Sequence, residues 1–167
     1  MTSQDAAEPR PCPICAENAA ADDGDDPWFI ARLSTGYVRL APTQYFPGST
    51  FFVAKQCVRE VYLLERDTQQ QHLAEMAGVA EAVSLAFQPR KMNYEALGNG
   101  VPHLHWWLTP RYPDDRHPMG PIWENLDFLR VLWTRGMRPE GSERDAIKEQ
   151  VLRSLKGLGL TIERHFP

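Results

Sequence analysis

The sequence predicts an α+β fold: an antiparallel sheet of about five strands, with a long helix and a C-terminal helix on one of its faces. Three observations carry that expectation. Short runs rich in aromatic and β-branched residues recur between Trp28 and Ala54 and are separated by turn residues. A single long stretch, Thr68 to Phe87, then repeats apolar residues at helical spacing. Two more strand-like runs follow it on either side of Gly98-Asn99-Gly100. Strands, a helix, then strands joined by a tight turn make an antiparallel sheet with helices packed on it.

The 167 residues suit one domain, expected over 12–167 after a loose polar tail at 1–11. Apolar content of 43% and charged content of 24% are ordinary for a globular chain. A net charge of −4 argues against a nucleic-acid binder, which needs clustered Lys and Arg on one face. The sequence contains no apolar run long enough for a membrane span, and its acidic start does not resemble a secretory signal. A cytoplasmic location is therefore expected. There, the Cys12-Pro13-Ile14-Cys15 spacing points to metal binding or redox chemistry rather than to a structural disulfide.

Trp28–Leu33 and Tyr37–Ala41 read as a hairpin around Ser34-Thr35-Gly36, and Ser49–Ala54 as a third strand after the turn at Pro42–Gly48. The acidic run Asp22–Asp26 before them reads as a solvated loop. Asp67 is a suitable N-cap for the long helix, whose Leu73, Met76, Ala80, Val83 and Phe87 should face the sheet. Pro89 ends it. Met92–Leu97 and Pro102–Leu108 read as the fourth and fifth strands. A Pro-rich stretch, a short helix or turn over Trp123–Trp133, and a last helix capped by Ser142 complete the chain.

The candidate chemistry lies on the fifth strand. His103 and His105 are two apart, so a strand would present both imidazoles on one face, with Leu104 and Trp106 on the other. Such a pair can ligate a metal, supply a nucleophile, or be two half-exposed histidines. The turn at Gly98-Asn99-Gly100 lets a phosphate approach backbone N–H groups. Pro110-Arg111-Tyr112 is expected to bring a guanidinium to the mouth of the same face.

The run Val101-Pro102-His103-Leu104-His105-Trp106-Trp107-Leu108-Thr109-Pro110-Arg111 resembles the signature of the histidine-triad superfamily. That signature alternates His and apolar residues and is often followed by Pro-Arg. Pro47-Gly48 and Lys55-Gln56-Cys57 are similar to the family's upstream Pro-Gly and Lys-X-His segment, and the likeness spans roughly Cys12 to Arg111.

The resemblance implies an α+β domain, usually a homodimer, that binds a nucleotide or dinucleoside polyphosphate. Its enzymes hydrolyse or transfer nucleoside monophosphates through a nucleotidyl-histidine, which by position would form on His105. Asn93, Asn99, Gly100, Trp107 and Arg111 are the matching substrate-side residues. The third histidine of the triad is replaced by Trp107, whose indole has one donor and no exchangeable catalytic proton. A hydrolase limited to good leaving groups, a transferase, a non-catalytic nucleotide sensor and a zinc-stabilised interaction module all remain open.

Some family members hold a structural zinc. The matching positions here are Cys12, Cys15, Cys57 and His103, with Cys in place of the family's His at the third. That set has the chemistry of a closed Cys₃His site and uses every cysteine in the chain. His72 and His165 read as solvated, His117 as a lesser candidate for a ligand contact, and Trp123 and Trp133 as packing residues.

Overall fold

The computed structural model describes residues 11–167, so the expected tail lies, apart from Pro11, outside the described residues. The first element is a helix that the sequence reading omitted, α1 (Pro13–Asp23). Pro13 suits a first helical turn, and Ala19-Ala20-Ala21 are the strongest helix formers. Gly24 closes the helix in the left-handed region at φ 89°. Part of the acidic run therefore belongs to a helix end rather than to a loop.

The hairpin forms as expected, as β1 (Phe29–Arg32) and β2 (Gly36–Leu40), followed by β3 (Thr50–Ala54). Between β2 and β3 the Ser49 N–H donates to Phe46 O across Pro47-Gly48, a turn that needs a left-handed residue at Gly48, φ 86°. A Cβ there would also lie 2.5 Å from the Phe87 ring. Gly48→Ala should therefore destabilise the fold by about 2–4 kcal/mol, combining backbone and overlap costs. A chemical-denaturation midpoint shift with unchanged slope would measure it.

The long helix is α2 (Arg66–Phe87), capped two residues earlier than expected: the Glu65 carboxylate accepts from the Asp67 N–H, and Asp67 sits in the first turn. Its buried face is also rotated. His72, Glu75, Val79, Ala80, Ala82 and Val83 point inward, while Leu73 is exposed. Two polar residues displaced the apolar stripe because a hydrogen-bonded chain awaits them. The Trp106 indole N–H donates to His72 Nε2 (3.1 Å), leaving His72 Nδ1–H to donate to Thr35 Oγ1 (3.1 Å). Thr35 Oγ1 in turn donates to Glu75 Oε2 (2.6 Å), which also accepts the Thr35 N–H. Phe52 stacks on the His72 ring at 4.7 Å. His72 is thus fully buried, not solvated as its position in the sequence suggested.

Burial holds the His72 pKa down to about 4, against the pull of Glu75 and Thr35. Because the folded value lies below the unfolded one, the unfolded chain takes the proton first. The stabilisation is complete above about pH 6.5 and erodes as pH falls towards about 4. Wild type should lose about 2 kcal/mol between pH 7 and pH 5 from this group. His72→Phe should flatten that slope in denaturant melts even though it lowers stability overall.

After α2 come β4 (Lys91–Glu95) and β5 (His105–Arg111). Both are shifted from the expected ranges, and the tight turn between them is instead an extended loop over residues 96–104. Pro102 lacks a ladder donor. Leu104 pairs with other backbone groups, its N–H donating to Val58 O and its carbonyl accepting from Ala54 N–H. His103 therefore precedes the strand instead of sharing its alternation with His105.

A 3-10 turn at Ile122–Glu124 leads into α3 (Leu126–Trp133), N-capped by the Asn125 side chain on Phe128 N–H. The last helix is α4 (Gly141–Gly157), which begins before the expected Ser142 cap. A short β6 (Arg164–His165) pairs with β1 and adds a sixth strand.

The six strands make one antiparallel sheet in the order β4-β5-β3-β2-β1-β6. Phe52 and Trp106 pair in register and face α2, which packs against α4. Tyr37, Val53 and His105 align across β2, β3 and β5 and face the other way. That second face is covered as well, contrary to expectation. From α1, Asp22 accepts the Tyr37 hydroxyl proton, and Glu17 pairs with Arg39. Phe128 of α3 and Ile122 build a small second core with Phe46. Among the described residues, no helix is long and apolar enough to cross a membrane.

Candidate functional site

Cys12 and Cys15 stand at the start of α1, Cys57 in the turn after β3, and His103 just before β5. The fold brings their ligand atoms within 4.8 Å of one another. The His103 ring is buried, with Nε2 2.8 Å from Ala54 O. A carbonyl can only accept, so Nε2 carries the proton and Nδ1 keeps its lone pair. Nδ1 is the atom that faces the sulfurs, at 3.4 Å from Cys12 Sγ and 3.6 Å from Cys15 Sγ. Burial, reinforced by His105, lowers the His103 pKa and keeps the ring neutral. Burial, then the neighbouring Cys57 and Cys12, push the Cys15 thiol up to about 12. The donor set, the tautomer and the backbone carbonyl behind the imidazole match the chemistry of a tetrahedral Cys₃His site.

His105 opens β5, opposite Val53 of β3. Its Nδ1 lies 2.7 Å from His103 O, which fixes the tautomer in the same way and leaves Nε2 as the basic nitrogen. The ring borders two cavities. One, of about 230 Å³, is shared with Arg59, Glu60 and His103. The other, of about 360 Å³, is shared with Asn99, Gly100, Trp107, Trp123 and Glu95.

Asn99, Gly100 and Trp107 thus stand beside His105, as the sequence reading expected. Asn93 and Arg111 line neither cavity. Arg111 is buried and its donors are engaged within the chain: Nε with Asp115 Oδ2, one terminal nitrogen with Asn93 Oδ1 and Gly120 O, the other with His117 O. The loop after β5 folds back on this guanidinium, which pins it rather than reaching the mouth of the site. His117 contributes only its backbone to that bracing and its own N–H to Asp115.

Trp107 is packed edge-on or tilted between Phe51 (5.2 Å), Trp123 (5.5 Å) and Phe128 (5.9 Å). Its indole N–H is buried and has no hydrogen-bond partner among the described residues. Trp133, by contrast, is 76% exposed.

Three contributors escaped the sequence reading. Glu95, Arg59 and the Trp123 wall reach the site through strand register and loop path, which spacing alone does not reveal. Glu95 pairs directly opposite Trp107, and its Oε2 accepts the Trp123 indole N–H at 3.2 Å.

No family model and no curated protein matches the sequence. Solved structures do. A histidine triad protein from Marinobacter aquaeolei is 26% identical, with 78% of this chain and 91% of that one covered and a TM-score of 0.61. A zinc-bound histidine triad family protein from Mycobacterium smegmatis is 17% identical, covering 89% and 95%, with a TM-score of 0.61. A hypothetical histidine triad nucleotide-binding protein from Sulfolobus tokodaii is 14% identical, covering 86% and 93%, with a TM-score of 0.63. The chain has the fold of the histidine-triad superfamily.

Proposed function

We propose that the chain is a nucleotide hydrolase or nucleotidyl transferase that acts at the α-phosphate through a covalent intermediate on His105. The supporting observation is the imidazole itself: with Nδ1–H held on the His103 carbonyl, Nε2 is the oriented nitrogen left for nucleophilic attack, on a ring at the edge of a cavity. The nucleotide-binding description carried by the Sulfolobus neighbour agrees with this.

In the first step His105 Nε2 forms a bond to phosphorus and the leaving group departs with its electron pair. In the second, water or another acceptor attacks phosphorus and the P–N bond returns its pair to Nε2. Asn99, Gly98 and Gly100 line the same cavity, and their side-chain and backbone N–H groups would supply the hydrogen bonds to phosphoryl oxygens.

We assign Cys12, Cys15, Cys57 and His103 as zinc ligands, with His103 coordinating through Nδ1. Zinc in such a closed site supplies structural cross-linking. His103 and His105 are joined through the His103 carbonyl, so fixing the first ring also orients the second.

Trp107 favours a second reading, a nucleotide sensor with little turnover, since its indole cannot donate a proton to a leaving group. Dinucleoside polyphosphates and nucleoside phosphoramidates distinguish the two. The enzyme turns them over and His105→Ala does not. A sensor shows only a thermal shift, about 2.7 kcal/mol of stabilisation at a hundredfold excess over Kd.

A further inference from the structure

We propose that Glu95 is the general acid–base of this site, supplying from the neighbouring strand the proton transfer that position 107 cannot. The inference rests on the nucleotidyl-transfer reading of His105. Its basis is register. Glu95 on β4 lies directly opposite Trp107 on β5. Directly paired residues in an antiparallel sheet point to the same face, with Cβ atoms about 4.5–5.5 Å apart. His105, two residues before Trp107, is then the diagonal neighbour of Glu95 at about 7–8 Å, room for a phosphoryl group between the two side chains. Both line the same cavity, along with Asn99. The chemistry lost at one strand position is recovered one strand over.

The carboxyl is built in rather than left in solvent. Its Oε2 accepts the Trp123 indole N–H, while Oε1 has no hydrogen-bond partner among the described residues. The cavity holds two titratable side chains, Glu95 and His105. Arg111 on β5 is the cation that acts on the carboxylate, and Glu124, on the same turn as Trp123, lies against Gly120 instead. Burial outweighs the Trp123 N–H and Arg111 and raises the Glu95 pKa above the usual carboxylate range. A carboxyl of that kind can hold a proton at a pH where an exposed one cannot.

The step balances as follows. His105 Nε2 bonds to phosphorus as the P–X bond breaks, and X leaves with the electron pair and takes the Glu95 proton. The resulting carboxylate then accepts a proton from water as its oxygen bonds to phosphorus. The P–N bond breaks, its pair returns to His105, and Glu95 is protonated again.

Leaving-group dependence tests the assignment in the full chain. Wild type, Glu95→Gln and Glu95→Asp are each assayed with an alkylamide of AMP, whose amine must be protonated to leave, and with the para-nitrophenyl ester of AMP, whose phenolate leaves unaided. Glu95→Gln should lose on the order of 10²–10⁴-fold in kcat/KM on the alkylamide and less than about threefold on the aryl ester. Glu95→Asp should recover part of the loss. A retained first-turnover burst of para-nitrophenolate from the aryl ester shows that the variant folds and that its nucleophile is intact, since Glu95 acts on that substrate only in the later water step. Equal losses on both substrates, or none on either, would overturn the Glu95 role and leave the His105 reading standing. A wild type inactive on both would overturn both.

Discussion

Stripping the metal with a strong chelator, or substituting Cys15→Ser, should lower the melting temperature by more than about 10 °C, the equivalent of several kcal/mol for a domain of this size. The four proposed ligand residues come from the start of α1, the turn after β3 and the loop before β5, segments as far apart as residues 12 and 103. Losing the ion unties all three at once. It also leaves His103 Nδ1 buried without a cation and sets the α1 start free. Structural zinc in isolated fingers contributes about 10–16 kcal/mol of apparent free energy. Here a separate core over the sheet survives removal, so a fraction of that is expected rather than global unfolding. Calorimetry beside metal analysis reads both quantities: about one zinc per chain in the native protein, and little in Cys15→Ser. Ligation also requires thiolates, and burial and the neighbouring sulfurs hold the Cys15 thiol up to about 12. Reloading the stripped protein should therefore release protons. A metal content far below one per chain, with melting unchanged by chelator, would remove zinc from the account.

His105→Ala should abolish turnover, by on the order of 10³–10⁶-fold, while nucleotide affinity changes little. The imidazole contributes a bond to phosphorus rather than binding surface, and Asn99 and the glycine-rich loop that line the cavity remain. The effect should fall on kcat, with a thermal shift by nucleotide retained. Equal losses of binding and turnover would mean that the ring shapes the pocket and does no covalent chemistry.

Much of this was legible in the sequence because it is local. The hairpin through Gly36, the turn at Pro47-Gly48, the long helix and the Cys and His spacing are short-range patterns. The parts that escaped depend on distant partners. His72 looked solvated because its own helix offers no partner. Thr35, Trp106 and Phe52 come from three other segments, and together they rotated the helix face away from Leu73. The α1 helix was hidden because its burial is slight, with only Asn18 and Ala21 turned fully inward. Arg111 was placed by its neighbours in sequence, whereas its partners are set by how the loop through Asp115, His117 and Gly120 closes. Glu95 could not be found from spacing at all. Its relation to Trp107 depends on a cross-strand register that the longer loop over residues 96–104 sets.

The covalent nucleotidyl-His105 is the central claim, and intact-protein mass spectrometry after rapid mixing reads it directly. Wild type mixed with the para-nitrophenyl ester of AMP and quenched in alkali, where a phosphorus–imidazole bond survives, should carry one added nucleoside monophosphoryl group. His105→Ala should carry none. An unmodified wild type during steady turnover, or an equal adduct on His105→Ala, would contradict the account.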